Sequence, residues 1–218
     1  DLPITARAVS LCEEGGLPTA VFSGVRANPT GTNVSDGVSA FRSGNHDGVL
    51  AFGGGSALDA AKSVALMVGQ SRDLFDFEDR EDWWTRVDPD GMAPVVALPT
   101  TSGTGSEVGR ASVIVDEASH TKKIIFHPRM LPGAVICDPA LTLGLPPGMT
   151  AATGMDALSH ALEAWCAPGF HPMADGIALE AMRLVHESLI QATEDQDIHA
   201  RSQMMAASLM GATAFQKG

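Results

Sequence analysis

The sequence predicts an α/β protein: an open parallel-sheet domain over residues 1–146, followed by the first helices of an all-helical domain over residues 147–218. Three observations carry this. Short apolar runs alternate with amphipathic helical runs through the first half, the pattern of strands joined by crossover helices. Two loops rich in glycine and hydroxyl residues each follow a strand-like run directly. After Pro146-Pro147, which forbids continuous helix, no strand-like run remains and helical periodicity alone continues.

In chain order, Ile4 to Glu14 carries apolar residues at helical spacing and stops at Gly15-Gly16, so it reads as a helix. Thr19 to Phe22 reads as a short buried strand, after which Asn28-Pro29-Thr30 turns the chain into a second amphipathic helix, about Val34 to Arg42. Gly48 to Phe52 is a strand, and the triple glycine after it opens a helix from Ser56 to about Met67. Residues 71–92, rich in Asp, Glu and Arg, read as a partly helical surface excursion with Trp83 and Trp84 as packing anchors. Strands return at Pro94 to Leu98, Ala111 to Val115, Lys123 to Phe126 and Ala134 to Cys137, all assigned to the one parallel layer. Ala151 to Ala167, Met173 to Leu189 and His199 to Phe215 have the length and spacing of helices.

With 218 residues and 44% hydrophobic content, the chain can bury a real core. Acidic residues outnumber basic ones 26 to 14, and the net charge of -12 repels nucleic-acid backbones and anionic lipid. No apolar run reaches bilayer length and no leader precedes the first helix, so neither nucleic acid nor membrane is an expected partner and the expected location is cytoplasmic. Cys12, Cys137 and Cys166 are odd in number and lack CxxC spacing, which fits reduced core thiols.

The run Gly53-Gly54-Gly55-Ser56-Ala57-Leu58-Asp59-Ala60-Ala61-Lys62 follows a strand and opens a helix. Glycines let a backbone approach an anion closely, and the first amides of a helix, at the positive end of its dipole, point toward it. Ser56 is placed to cap the helix and Asp59 to complete a capping box. The spacing is neither GxGxxG nor a P-loop, and alone the run also fits a tight strand-to-helix turn. The second loop, Pro99-Thr100-Thr101-Ser102-Gly103-Thr104-Gly105-Ser106-Glu107, offers hydroxyls and amides to a ligand's phosphate, ribose or amide groups; alone it fits a Ser/Thr-rich turn as well. Two such loops on adjacent strand ends border the crevice where open α/β sheets bind ligands. Lys122-Lys123 is either a charge turned to that ligand or a solvated pair.

Within Gly154-Met155-Asp156-Ala157-Leu158-Ser159-His160, carboxylate and imidazole stand four residues apart on one helix face. Together they suit Fe(II) or Zn(II), which acts as a Lewis acid on an alcohol or carbonyl oxygen. The same spacing fits an ordinary Asp–His pair on an exposed helix. The other histidines form no second ligand spacing.

The GGGSxxDxAK run, the PTTSGTGSE run, the Asp138-Pro139 turn and the GMDALSHALEA stretch, in this order and spacing, resemble the iron-containing (group III) alcohol dehydrogenase family along essentially the whole chain. The resemblance implies a dinucleotide-binding domain followed by an all-helical metal-binding domain, with the nicotinamide between them. It implies that Gly53, Gly54, Gly55 and Ser56 bind the pyrophosphate of NAD or NADP. Asp59, Thr100, Thr101, Ser102 and Thr104 would line the cofactor cleft, with Lys122 at the ribose. Asp156 and His160 become the first two of four metal ligands and the catalytic pair, holding Fe(II) or Zn(II). The implied reaction interconverts an alcohol and an aldehyde or ketone in a homo-oligomeric enzyme. The alternatives are a metal-free enzyme like the maleylacetate reductases, or a nucleotide-binding fragment without catalysis.

The chain opens on Asp1 rather than Met and closes on Gly218 within a helical pattern, so both ends read as cut. The family's first strand would precede Asp1, and its two remaining histidine ligands would follow Gly218. The 218-residue polypeptide is therefore expected to keep part of the cleft, to hold no tightly bound divalent ion, and to expose Met204, Met205, Leu209, Met210 and Phe215 on its last helix.

Overall fold

The computed structural model describes residues 3–217. Asp1 and Gly218, the ends read above as cut, lie outside them. The order of the first half is α1 (Pro3–Glu14), α2 (Gly31–Ser43), β1 (Val49–Gly53), α3 (Gly55–Met67), β2 (Val95–Pro99), β3 (Ala111–Asp116), β4 (Thr121–Phe126) and β5 (Ala134–Val135). β1, β2 and β5 form a parallel sheet with β2 in the middle. Gly53 and Pro99 are register partners and the Thr100 amide donates to the Gly53 carbonyl at 2.9 Å, so both loops leave the sheet side by side. Ala51, Leu58, Ala65, Val95 and Ala97 pack α3 onto the sheet.

β3 and β4 are not part of the parallel layer. They form an antiparallel hairpin in which Ala111 faces Phe126 and Asp116 faces Thr121. The link between them, residues 117–120, is a turn, whereas a parallel crossover needs a dozen residues or more. Thr19 to Phe22 is not a strand either: Val21 is 51% exposed and the segment has no ladder partner among the described residues. Strand-forming composition yields a strand only where a second edge offers hydrogen bonds.

Residues 71–92 fold into three short 3-10 turns, Leu74–Phe77, Trp83–Arg86 and Pro89–Gly91. Their anchors are Leu74, Phe77 and Val87, which join Val34, Val38, Val64, Ile114 and Ile125 in the largest core cluster. The tryptophans lie outside it: Trp83 stacks under the Arg86 guanidinium at 3.9 Å and Trp84 stays 39% exposed. An indole can serve as a platform for a cation at the surface as readily as it fills a core.

The helical part consists of α4 (Pro147–Cys166), α5 (Pro172–Glu194) and α6 (Ile198–Ala214), with no further strand among the described residues. Pro147 takes the first helical position of α4, where its missing N–H costs nothing. Ala157, Ala161, Ala164, Ala178, Ala181, Ala207 and Ala212 lie in the contacts and are fully or nearly fully buried, so the helices approach closely. A Cβ on Gly211 would come within 3.2 Å of the Ala157 carbonyl, which measures how near α6 runs to α4. Contrary to expectation, Met204 and Met205 are buried and Leu209, Met210 and Phe215 half-buried; Met204 packs against Leu184 and Val185 of α5. The most exposed apolar side chains of the helical part are Phe170 at 95%, in the α4–α5 connection, and Met173 at 76%, at the start of α5. Cys12, Cys137 and Cys166 are free, and none is a core thiol: Cys166 is exposed and the other two half-buried. No helix among the described residues is long and apolar enough to cross a membrane.

Candidate functional site

The start of α3, the loop after β2, the β3–β4 hairpin, α4 and the turn at Phe215 and Gln216 surround a cleft of about 640 Å³. Gly55 and Ser56, the first residues of α3, line it together with Asp59 and Thr104. Lys122 on β4 and Asp156 and His160 on α4 line it too. Gly53, Gly54, Thr100 and Thr101 are not on its lining. Gly54 is the N-cap of α3, and a Cβ there would stand 3.2 Å from Thr101; at Gly55 a Cβ would come within 2.6 Å of the Thr104 side chain. The glycines thus let the second loop lie against the first.

Ser102 departs from its expected place. It is buried at 7% exposure and lines a separate small cavity with Thr150, Thr153 and Arg201. The cause is the backbone of its loop: a Cβ on Gly103 would meet the Thr153 carbonyl at 2.8 Å, and Gly105, at φ +60°, would press one into Ala212. These glycines seat the loop directly on α4 and α6, which turns Ser102 inward and brings the Asp156–His160 face to the cleft.

The expected capping box at Ser56 and Asp59 is not formed; α3 has no side-chain cap, and the chain's capping box is Thr30–Asn33 on α2. Asp59 instead accepts from the Ser106 hydroxyl at 2.5 Å and the Val113 amide at 2.9 Å. Lys62, 1% exposed, stands 3.5 Å from Asp59 and donates to the carbonyls of Ser106 at 2.8 Å and Ala111 at 2.5 Å. Burial pushes its pKa down, against the raising pull of Asp59. Glu107 is 2% exposed, and burial pushes its carboxyl up. Lys62, Ser106 and Glu107 fall inside the two motifs, yet nothing in their spacing distinguishes a residue that clamps loops from one that touches a ligand.

Within the pair on α4, His160 Nε2 lies 3.7 Å from Asp156 Oδ1. That is too long for a hydrogen bond and suits two donors each about 2 Å from one ion. His160 Nδ1 is buried without a partner, and the ring meets Phe215 edge-on at 5.2 Å. Carboxylate and imidazole therefore fit a divalent ion as part of a ligand set, and no third His, Cys, Asp or Glu joins them among the described residues. The hairpin contributes what sequence patterning missed: Val113, Val115, Ile124 and Phe126 form an apolar wall of the cleft, with Val113 at 39% and Ile124 at 47% exposure. Lys122 is exposed on that wall, while its neighbour Lys123 is paired to Asp116 at 2.8 Å.

Residues 1–139 match the iron-containing alcohol dehydrogenase family, and residues 150–218 match the C-terminal part of the Fe-containing alcohol dehydrogenase family. The chain belongs to the iron-containing alcohol dehydrogenases. Among its relatives, the 4-hydroxybutyrate dehydrogenase of Cupriavidus necator is 44% identical over 217 residues, covering 99% of this chain and 56% of that protein. Among solved iron-containing alcohol dehydrogenase folds, a 1,3-propanediol oxidoreductase superimposes with a TM-score of 0.92 at 37% identity, over 99% of this chain and 55% of its own. The sulfoacetaldehyde reductase of Bifidobacterium kashiwanohense, in complex with NAD+, gives 0.87 at 34% identity, over 96% and 55%. The chain spans about half the length of the curated relatives it matches. These names do not favour the maleylacetate-reductase reading or the non-catalytic one.

Proposed function

We propose that the intact protein interconverts a short alcohol and its aldehyde or ketone, using NAD or NADP and a divalent ion, Fe(II) or Zn(II), held in part by Asp156 and His160. The observation that carries this reading is that the amino end of α3 and the Asp156–His160 pair line one cleft. Residues 1–146 would form the cofactor unit and residues 147–218 the beginning of the metal unit; the three free thiols accord with a cytoplasmic setting.

The chemistry such groups supply when bound is hydride exchange at the nicotinamide and Lewis-acid polarisation of the substrate oxygen. The chain's own residues bind and position. Gly55 and Ser56 present unpaired helix amides to a pyrophosphate, and Thr104 adds a hydroxyl beside them. Lys122 offers positive charge toward ribose or phosphate. The Val113–Ile124 wall gives a flat ring an apolar face and keeps water from it. Asp156 and His160 hold the ion, with the His160 ring steadied by Phe215.

The substrates named for the three relatives are short and carry a second polar group. With Lys122 turned to the cofactor, Arg110 is the remaining basic side chain on the cleft lining, and it suits an alcohol with a polar or anionic far end. Steady-state rates of the full-length protein with ethanol, 1-butanol, 1,3-propanediol and 4-hydroxybutyrate, each with NAD and NADP, test this reading. Turnover should be highest with the last two. A metal-loaded, cofactor-binding protein that oxidised none of them would overturn it.

A further inference from the structure

Arg201 on α6 heads the fully buried side chains by volume, at 2% exposure, and it lies outside the cleft lining. Its Nη1 donates to the Thr142 carbonyl at 2.7 Å, while Nε and Nη2 are buried without a hydrogen-bond partner. None of the ion pairs among the described residues includes it. A guanidinium keeps its proton at any pH a protein meets, so Arg201 carries a full positive charge where solvent does not screen it. Such a charge is costly unless an opposite charge reaches it.

A cavity of about 10 Å³ adjoins this side chain, lined also by Ser102, Leu145, Thr150, Thr153 and Met204. The Ser102 hydroxyl is buried and likewise has no partner. The hydroxyls of Thr150 and Thr153 already donate to the carbonyls of Pro146 and Met149. The donors left over are thus the two guanidinium nitrogens and the Ser102 hydroxyl, with no carboxylate on the lining. The volume admits one particle of about water size and rejects phosphate or sulfate.

We propose that this cavity binds a single monatomic anion of the chloride class, held by Arg201 and Ser102. A neutral water would satisfy the donors yet leave the charge uncompensated, which is why an anion is the better occupant. Its binding joins the loop after β2 to α6 through Ser102 and Arg201, so it holds Ser102's loop in the position that shapes the cleft.

The test uses the full-length protein. Thermal unfolding midpoints are measured in sodium gluconate, chloride and bromide at equal ionic strength, and bromide-soaked crystals are examined for anomalous scattering. The expected result is a saturable rise of several degrees with chloride or bromide and a bromine peak beside Arg201 Nη2. Ser102→Ala should need at least fivefold more halide for half the effect, and Arg201→Met should lose the response. Should Arg201→Met fail to fold, Ser102→Ala and the diffraction experiment still decide. A midpoint indifferent to halide, or a cavity holding only a water or a carboxylate from elsewhere in the protein, overturns the proposal.

Discussion

The Ser106 hydroxyl donates to the Asp59 carboxylate at 2.5 Å, tying the loop after β2 to the helix that follows the glycine run. The other oxygen of Asp59 takes the Val113 amide, so one side chain holds both loops and the hairpin wall. Asp59→Ala leaves the Val113 amide and the Ser106 hydroxyl without their acceptor, and about 1–3 kcal/mol of stability should be lost. Denaturant unfolding measures that, and isothermal titration with NADH should show weaker binding in the folded fraction. Unchanged values on both counts would remove Asp59 from the clamp.

Gly55→Ala should weaken cofactor binding by about tenfold or more, because the added methyl displaces Thr104 from the cleft or blocks the anion's approach. The double variant Gly55→Ala/Thr104→Ala relieves the clash with the Thr104 side chain and should regain part of the affinity. NADH fluorescence titration reads both.

In the intact protein, His160→Ala should strip iron or zinc and abolish turnover while NADH affinity stays within about twofold, since the substitution removes a metal donor and leaves the amino end of α3 intact. Asp156→Ala should do the same. Metal content per subunit and steady-state rates are the measurements; full metal and full rate in either variant would reduce the pair to a structural role.

Glu107 gives stability a pH dependence with a defined sign. Its folded pKa is raised from 4.5 by burial, against which its own backbone amide and Lys62 act only in part. The folded state therefore keeps the proton longer than the unfolded chain. Stability is fully present below 4.5 and declines as pH rises from there through the raised folded value. Glu107→Gln should flatten that decline, which urea unfolding at successive pH values upward from 4.5 will show. A variant with the wild-type slope would assign the decline to other groups.

The anchoring of residues 71–92 separates two aromatic residues. Phe77→Ala should cost about 3–5 kcal/mol, since its ring is fully buried in the largest core cluster. Trp84→Ala, at 39% exposure, should cost under about 1 kcal/mol. Chemical denaturation of both variants checks the contrast.

The residues by themselves determined much of this protein. Periodicity set α1 through α6 and most strands to within a few residues, because the face a segment must bury is written in its own spacing. The strand–glycine–helix context located the amino end of α3, and a four-residue spacing put Asp156 and His160 on one face, since both follow from local geometry alone. Only the tertiary structure decided which like-looking residues face the cleft. Ser102 and Thr104 are two positions apart in one loop, yet Gly103 and Gly105, pressed onto α4 and α6, turn one inward to Arg201 and leave the other in the cleft. The pairing of β3 with β4, the exposure of Thr19 to Phe22, and the turn of Asp59 and Lys62 from capping to clamping depend in the same way on partners distant in sequence. A hydrogen bond or an apolar contact needs two groups, and a linear pattern specifies one of them.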